Sequence, residues 1–188
     1  MRSIVGALGV SVAVAVVLGA AVADATQQAT AAKKLLVKST PSGTKKILYK
    51  AQNSTGTVMG DPTAGSGATF NLQLTPGGTQ CFSMPASGWS ANGPQGFKYK
   101  DPQLANGPVK VAQIKATPSG NFQIKIIAKG SGITVTPGNP TTSYATNFSI
   151  SGGDEYCGSS GSATPAPNDA NTFNVVNDDG TACSLGPC

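Results

Sequence analysis

The sequence predicts an all-β protein, a single antiparallel β-sandwich domain with two disulfides that follows an N-terminal signal peptide. Short apolar runs alternate with polar residues at the two-residue period of β-strands. Clusters of Gly, Pro, Asn and Ser separate these runs, as the turns of a sandwich do. After the first segment, no stretch keeps a helical apolar period over three turns.

The first 25 residues have the pattern of a secretory signal peptide. Arg2 supplies the positive start, residues 4–22 are apolar and uncharged, and Ala23-Asp24-Ala25 gives a small-x-small cleavage site. A membrane anchor is the alternative, but the run is rich in Gly and Ala and the cleavage site follows at once. We expect cleavage after Ala25 and a secreted, periplasmic or cell-envelope protein without a mature transmembrane segment.

The remaining chain is long enough for one domain. Removal of 25 of the 188 residues leaves 163, which suits a single core. Residues 26–32 are small and polar and predict a flexible lead-in, so the β-sandwich is expected to span residues 33–188. Its strand-like runs are 33–38, 45–51, 68–74, 80–84, 97–100, 109–116, 122–126, 133–136, 143–150, 156–157 and 172–176.

Alternation within these runs predicts which side chains point inward. The run 109–116 breaks phase, because Val109 and Val111 share one face while Ile114 falls on the other, so we expect a β-bulge near Ala112. The predicted inward residues are Leu36, Leu48, Phe70, Leu72, Leu74, Phe97, Tyr99, Ile124, Ile126, Phe148, Ile150, Phe173 and Val175.

Lysines recur on three consecutive predicted strands and suggest a basic stripe on one solvent face. Such a stripe suits an acidic polysaccharide or another anionic envelope component. The mature chain has no Arg for bidentate phosphate contacts, and its aromatic residues point inward, so there is no specific nucleic-acid signal. The alternative needs no ligand, because lysines also protect exposed strands from edge pairing. The stripe residues are Lys98, Lys100, Lys110, Lys115, Lys125 and Lys129.

The residues that catalysis would need are sparse. The chain contains no His, so a Ser-His-Asp arrangement is excluded, and Gly158-Ser159-Ser160-Gly161-Ser162 lacks the strand-to-helix context of a nucleophile elbow. Asp154 and Glu155 are adjacent and would face opposite sides of a strand. We therefore expect a non-catalytic structural or ligand-binding module without a cofactor. The alternative is a hydrolase that uses carboxylates or a Ser-Lys pair.

One run is rich in oxygen ligands. Asp178 and Asp179 lie between Asn177 and Gly180, and together they are a calcium candidate. Calcium takes six to eight oxygens, and the run lacks EF-hand spacing. An ordinary Asp-Gly turn explains the same residues, so no metal site is expected.

Four cysteines, an even number in an exported chain, predict disulfides. They are Cys81, Cys157, Cys183 and Cys188, and three pairings are possible. One of these joins Cys183 to Cys188 across residues 184–187 and leaves Cys81 for Cys157. Chain length alone does not select the native pairing, because geometry decides which sulfurs can meet.

Several short motifs occur in a fixed order along residues 35–183. They are Met84-Pro85-Ala86-Ser87-Gly88-Trp89, Gly96-Phe97-Lys98-Tyr99-Lys100-Asp101, Gly107-Pro108-Val109-Lys110, Lys129-Gly130 and Tyr156-Cys157. The set resembles an uncharacterised family of exported bacterial β domains with the pattern LPAS-x-W, GYKYKD, GPVK, KG, RYC and a late Cys.

The resemblance implies a secreted or envelope β domain in which Cys157 pairs with a late cysteine. It does not imply any particular activity. We therefore expect Cys157–Cys183, which leaves Cys81–Cys188 by elimination. Glu155 stands where the pattern has Arg, so a role that depends on this Arg does not transfer.

Overall fold

The computed structural model describes residues 26–53, 58, 60–116 and 121–188, and the predicted signal peptide, residues 1–25, lies outside them. The helical element among the described residues is a 3₁₀ turn at Ala86–Gly88. The strands are β1 (Gln27–Ala29), β2 (Ala31–Ser39), β3 (Lys45–Asn53), β4 (Ala68–Thr75), β5 (Gly78–Met84), β6 (Trp89–Ala91), β7 (Gly96–Lys100), β8 (Val109–Ala116), β9 (Phe122–Gly130), β10 (Ser143–Ile150), β11 (Glu155–Ser159), β12 (Asn168–Asp169) and β13 (Thr172–Val176).

These strands form two sheets that pack face to face, so the predicted all-β sandwich is confirmed. The larger sheet has eight strands in the order β12-β13-β2-β3-β9-β8-β7-β6, and every neighbouring pair is antiparallel. The smaller sheet has five strands in the order β1-β11-β10-β4-β5. In it, β1 and β11 are parallel, whereas the other pairs are antiparallel.

The expectation of a flexible lead-in over residues 26–32 is wrong. Gln27–Ala29 is an edge strand, and the backbone N–H of Thr30 donates to the carbonyl of Cys157 at 2.7 Å. Ala31 and Ala32 already belong to β2. Small polar residues gave no strand pattern, but their backbone groups complete the edge that β11 would otherwise leave unpaired.

Aromatic pairs join the two sheets across the core. Tyr49 of the larger sheet stacks on Phe70 of the smaller one with ring centroids 5.0 Å apart. Phe122 stacks on Tyr156 at 4.4 Å, and the Tyr49 hydroxyl lies 3.0 Å from Thr146 Oγ1. Burial of these rings supplies the apolar contact that holds the sheets together.

Two of the predicted inward residues, Leu36 and Leu48, are only half-buried and lie on the outer face. Their neighbours Leu35 and Ile47 point into the core with no exposed surface. Each strand has three consecutive apolar residues, so alternation allows two phases. The other phase would bury the flanking lysines, and an unpaired buried charge is far more costly than a half-exposed leucine.

The bulge in β8 lies slightly before the predicted position. The pairing with β9 shifts between Val109 and Val111 rather than at Ala112, which turns Val111 outward and places Ala112 and Ile114 in the core. Phe97 is half-buried and packs against the core from its edge.

The expected strand at residues 133–136 is absent. Ile133 and Val135 are nevertheless buried. The side chain of Gln80 takes the place of strand pairing there: its Oε1 accepts from the N–H of Thr134 at 2.7 Å, and its Nε2 donates to the carbonyl of Gly132 at 2.8 Å.

Candidate functional site

All lysines of the chain belong to one sheet. Arg2 is the single Arg among the 13 Lys and Arg residues, so twelve are lysines. All twelve fall in β2, β3, β7, β8 and β9. In the strands of the smaller sheet Glu155 is the one charged residue. The larger sheet has Asp169 in edge strand β12, and its Oδ1 accepts from the N–H groups of Asn171 and Thr172. Positive charge is therefore concentrated on one side of the sandwich.

Strand alternation and two bulges turn almost all of these lysines to solvent. Lys33 and Lys110 lie at the register shifts of β2 and β8 and are exposed. Lys45 begins β3, where its Nζ donates to the carbonyl of Thr134 at 3.3 Å. The other eleven form the surface called the lysine face below: Lys33, Lys34, Lys38, Lys46, Lys50, Lys98, Lys100, Lys110, Lys115, Lys125 and Lys129.

Cross-strand pairing arranges the lysine face in rows across the strands. One row places Lys34, Lys50 and Lys125 opposite one another on β2, β3 and β9. A second row places Lys38, Lys46 and Lys129 in the same way. Between them runs a half-buried aliphatic row of Leu36, Leu48, Ile127 and Val111.

Like charges that lie directly opposite on neighbouring strands destabilise a sheet. The structure gives these lysines no ion pair with a carboxylate among the residues it describes. The two lysine rows are therefore not explained by the stability of the fold.

A shallow cavity of about 290 Å³ opens on this face and is called the basic cavity below. Its floor follows two short rows of side chains across β3, β9 and β8. The first row is Lys50, Lys125 and Gln113, and the second is Gln52, Gln123 and Lys115, and Lys33 also lines the cavity. Neighbouring strands are about 4.8 Å apart and alternate residues of a strand roughly 7 Å apart, so the six side chains share one small patch.

The six lysines predicted as a basic stripe all lie on the lysine face. The strands β9, β8 and β7 are adjacent, as expected, but the six do not follow one line. Lys98 and Lys125 flank Gln113 in one row, Lys100 pairs with Val111, and Lys129 belongs to the second row.

The sequence pattern did not predict that the lysines of β2 and β3 belong to the lysine face. These strands are far from β9 along the chain, and strand order is not visible in local patterns. The available signal was lysine on both sides of each apolar triplet, at Lys34 and Lys38 and again at Lys46 and Lys50, which predicts an outward lysine phase.

Asp178 and Asp179 hold a loop rather than an open ligand set. Asp178 is buried, and its Oδ2 accepts from the Tyr144 hydroxyl and from the N–H of Gly161, both at 2.9 Å. Asp179 accepts from the N–H and the hydroxyl of Ser162 at 2.7 and 2.8 Å. These donors point at the oxygens that calcium would need. The described residues also contain no group of three or more His, Cys, Asp or Glu that could hold a metal ion.

The same contacts shift two acid–base equilibria in opposite directions. Burial, together with the charge of Asp178, raises the pKa of Tyr144. The hydrogen bonds from Ser162 lower the pKa of Asp179. The shifts favour a protonated Tyr144, which donates to Asp178, and an ionised Asp179, which accepts from Ser162. These are the states that form the hydrogen bonds of the loop.

The Ser-Gly run considered as a nucleophile is part of this loop contact. Ser160 Oγ accepts from the N–H of Tyr144 at 2.7 Å, and Ser162 donates to Asp179. A Cβ at Gly161 would overlap Asp179 and the backbone of Gly180, so glycine permits the close approach of the two segments. The hydroxyls of Ser160 and Ser162 are engaged in structural hydrogen bonds, and every lysine belongs to the other sheet.

The last six residues, 183–188, cross the outer face of the smaller sheet and are called the C-terminal strap below. Disulfides join Cys157 to Cys183 and Cys81 to Cys188, with Cα atoms 5.1 and 5.8 Å apart. This is the pairing expected in the sequence, and the alternative Cys183–Cys188 bridge does not form. Two disulfides are typical of proteins outside the cytoplasm.

No helix in residues 26–53, 58, 60–116 and 121–188 is long and apolar enough to cross a membrane. Comparison of the chain with protein-family models, curated proteins and solved structures found no match.

Proposed function

We propose that this chain is an exported, non-catalytic module that binds anionic material of the bacterial envelope or exterior through the lysine face. The observation that carries the proposal is the collection of all twelve lysines on one sheet. A face with a single sign of charge attracts polyanions and raises their local concentration.

The arrangement of the lysines supports binding over a role in solubility alone. Solubility needs charge, but it does not need lysines opposite one another, and such pairs oppose folding. The rows Lys34-Lys50-Lys125 and Lys38-Lys46-Lys129 become favourable when an anionic chain lies across them. Edge protection does not account for them either, because β3 and β9 are central strands.

The contacts of the candidate catalytic groups support the non-catalytic part of the proposal. Asp178 accepts a hydrogen bond from the N–H of Gly161, and Asp179 accepts from the N–H and the hydroxyl of Ser162. Glu155 Oε2 accepts from Asn147 Nδ2 at 3.1 Å. A hydrolase would need one of these groups to face a bound substrate, whereas these contacts hold the groups within the fold.

Salt-dependent retention on immobilised heparin tests the proposal. We expect the mature chain to bind at low ionic strength and to elute as added salt shortens the range of charge interactions from about 10 Å at 0.1 M to about 3 Å at 1 M. The variant Lys46→Gln/Lys129→Gln removes one directly opposed pair and should elute at lower salt.

The matched control, Thr79→Glu/Ser83→Glu, makes the same change in net charge at exposed positions of the smaller sheet. It should elute close to the wild type. Equal shifts for the two variants would show that net charge alone causes retention, and a wild type that is not retained at low salt would refute the proposal.

A further inference from the structure

The floor of the basic cavity has a regular chemical pattern. Each of its three strands contributes one lysine and one glutamine, two residues apart. On β3 these are Lys50 and Gln52, and on β9 they are Gln123 and Lys125. β8 contributes Gln113 and Lys115. A ligand in the cavity therefore meets ammonium and amide groups side by side.

Lysine and glutamine side chains form hydrogen bonds with different kinds of ligand group. A lysine ammonium only donates hydrogen bonds, whereas a glutamine amide donates through its NH₂ and accepts through its carbonyl oxygen. A ligand with acidic groups alone would satisfy Lys50, Lys115 and Lys125 but would leave the glutamine carbonyls without donors. Hydroxyl groups supply these donors, so the cavity matches a ligand that carries both acid groups and hydroxyls.

The aromatic residues of the chain do not suit a nucleic acid. Single-stranded nucleic acids are held largely by stacking of bases on exposed aromatic rings. Of the six Phe, four Tyr and one Trp, all but Phe97 are buried, and Phe97 packs against the core. The lysine face has no arginine for bidentate phosphate contacts either.

The size of the basic cavity also limits the ligand. Its volume of about 290 Å³ is near the lower limit of small-ligand pockets, roughly 300 Å³. One sugar-sized unit fits such a space, while the rest of a polymer would lie along the lysine rows outside it.

From these observations we infer that the basic cavity binds an acidic, polyhydroxylated sugar unit, so that the ligand of the lysine face is an acidic polysaccharide. The inference rests on the proposed function and names its ligand class. Lysines attract the carboxylate or sulfate groups, and the glutamines select the hydroxyls beside them.

Titration calorimetry with tetragalacturonate at low salt tests this inference. Two triple variants make the same charge change on the same face: Lys50→Gln/Lys115→Gln/Lys125→Gln in the cavity and Lys38→Gln/Lys46→Gln/Lys129→Gln in the second lysine row. We expect the cavity triple to weaken binding by about tenfold, as the joint loss of several modest charge contacts does. The second triple should weaken binding by about threefold or less, because its lysines lie outside the cavity and meet only the outer units of the ligand, where exposed charge contacts are weak and screened.

A charge-neutral variant tests the role of the glutamines. Gln113→Met/Gln123→Met keeps every lysine and should weaken tetragalacturonate binding several-fold, while binding of inorganic polyphosphate stays unchanged. Thermal unfolding of each variant checks that the fold is retained.

The possible failures are distinguishable. If the wild type binds neither tetragalacturonate nor polyphosphate at low salt, the proposed function itself fails. If it binds, but the two triples weaken binding equally or the glutamine variant has no effect on tetragalacturonate, the sugar site is wrong while the polyanion face stands. Tighter binding of single-stranded DNA than of tetragalacturonate would also overturn the inference.

Discussion

Asn71 and Asn147 lie directly opposite one another on β4 and β10, and each donates through its side-chain amide to the C-terminal strap. Asn71 Nδ2 donates to the carbonyl of Gly186, and Asn147 Nδ2 to that of Leu185, both at 3.0 Å. Cys157 and Cys81 continue the same cross-strand row on either side. The strap is thus attached to four successive strands, by a disulfide at each end and an asparagine at each step between.

The dimensions of the strap fit this path. The four strands span three intervals of about 4.8 Å, or roughly 14 Å. Five residue steps from Cys183 to Cys188 reach about 17 Å when extended. The strap therefore crosses the sheet in a nearly extended form, which explains why its carbonyls meet the asparagines in order.

We expect Asn147→Ala to destabilise the domain more than Asn71→Ala. Asn147 is fully buried and donates both to Leu185 and to Glu155, whereas Asn71 is half-buried and donates to Gly186. Loss of hydrogen bonds to a charged acceptor and to the backbone should cost about 1–3 kcal/mol for Asn147 and about 1 kcal/mol for Asn71. Urea unfolding measures both, and the reverse order would contradict this account of the strap.

The two disulfides should contribute unequally to stability. Cys81–Cys188 closes a separation of 107 residues and Cys157–Cys183 one of 26. In the chain-entropy model these correspond to about 5 and about 3.5 kcal/mol. We expect Cys81→Ala/Cys188→Ala to lower the free energy of unfolding more than Cys157→Ala/Cys183→Ala does. Equal losses would mean that buried packing around Cys157 outweighs loop entropy.

The same substitution to alanine should have opposite effects on stability at two glycines near the C-terminus. A Cβ at Gly180 would overlap the backbone of Ser159, Ser160 and Gly161, whereas one at Gly186 would meet nothing within 4 Å. We expect Gly180→Ala to cost about 2 kcal/mol or more, in the range of overpacking changes, and Gly186→Ala to leave stability unchanged. Thermal unfolding of the two variants decides the point, and a tolerated Gly180→Ala would argue against close packing of the loop.

Stability should fall in acid below about pH 5. Hydrogen bonds from the N–H groups of Asn106 and Ala105 lower the pKa of Asp101 below its usual 3.8, and Ser162 lowers that of Asp179. A carboxyl whose folded-state pKa is depressed stabilises the fold above the unfolded pKa, and this stability is lost as pH falls through the folded pKa. The melting temperature should therefore be flat from pH 7 to about 5 and then fall. Asp101→Asn and Asp179→Asn should each lower it at pH 7 and reduce its drop in acid.

Local alternation predicted most of the fold, and it failed where two phases were possible. The two-sheet sandwich follows from period-two runs such as Phe70, Leu72 and Leu74, which have one phase only. Leu36 and Leu48 were misplaced because three apolar residues in a row suit either phase, and only the flanking lysines decide between them. The strand Gln27–Ala29 was missed because its pairing with β11 uses backbone groups and not an apolar pattern.

The candidate site was only partly predictable for a different reason. Lys98, Lys115 and Lys125 could be placed on neighbouring strands because β7, β8 and β9 follow one another along the chain. The contribution of Lys50 depends on the pairing of β3 with β9, which no local pattern reveals. The C-terminal strap has no regular secondary structure, so its path follows from disulfides and side-chain amides rather than from propensity.

The separation of charge between the two sheets also gives the domain an electric dipole. Lysines fill the larger sheet, while Glu155 is the one charged residue in the strands of the smaller sheet. Near a negatively charged surface, a molecule with such a dipole is turned by the field before it makes contact. It would arrive with the larger sheet foremost and the C-terminal strap toward the solution, so most encounters would begin in one orientation.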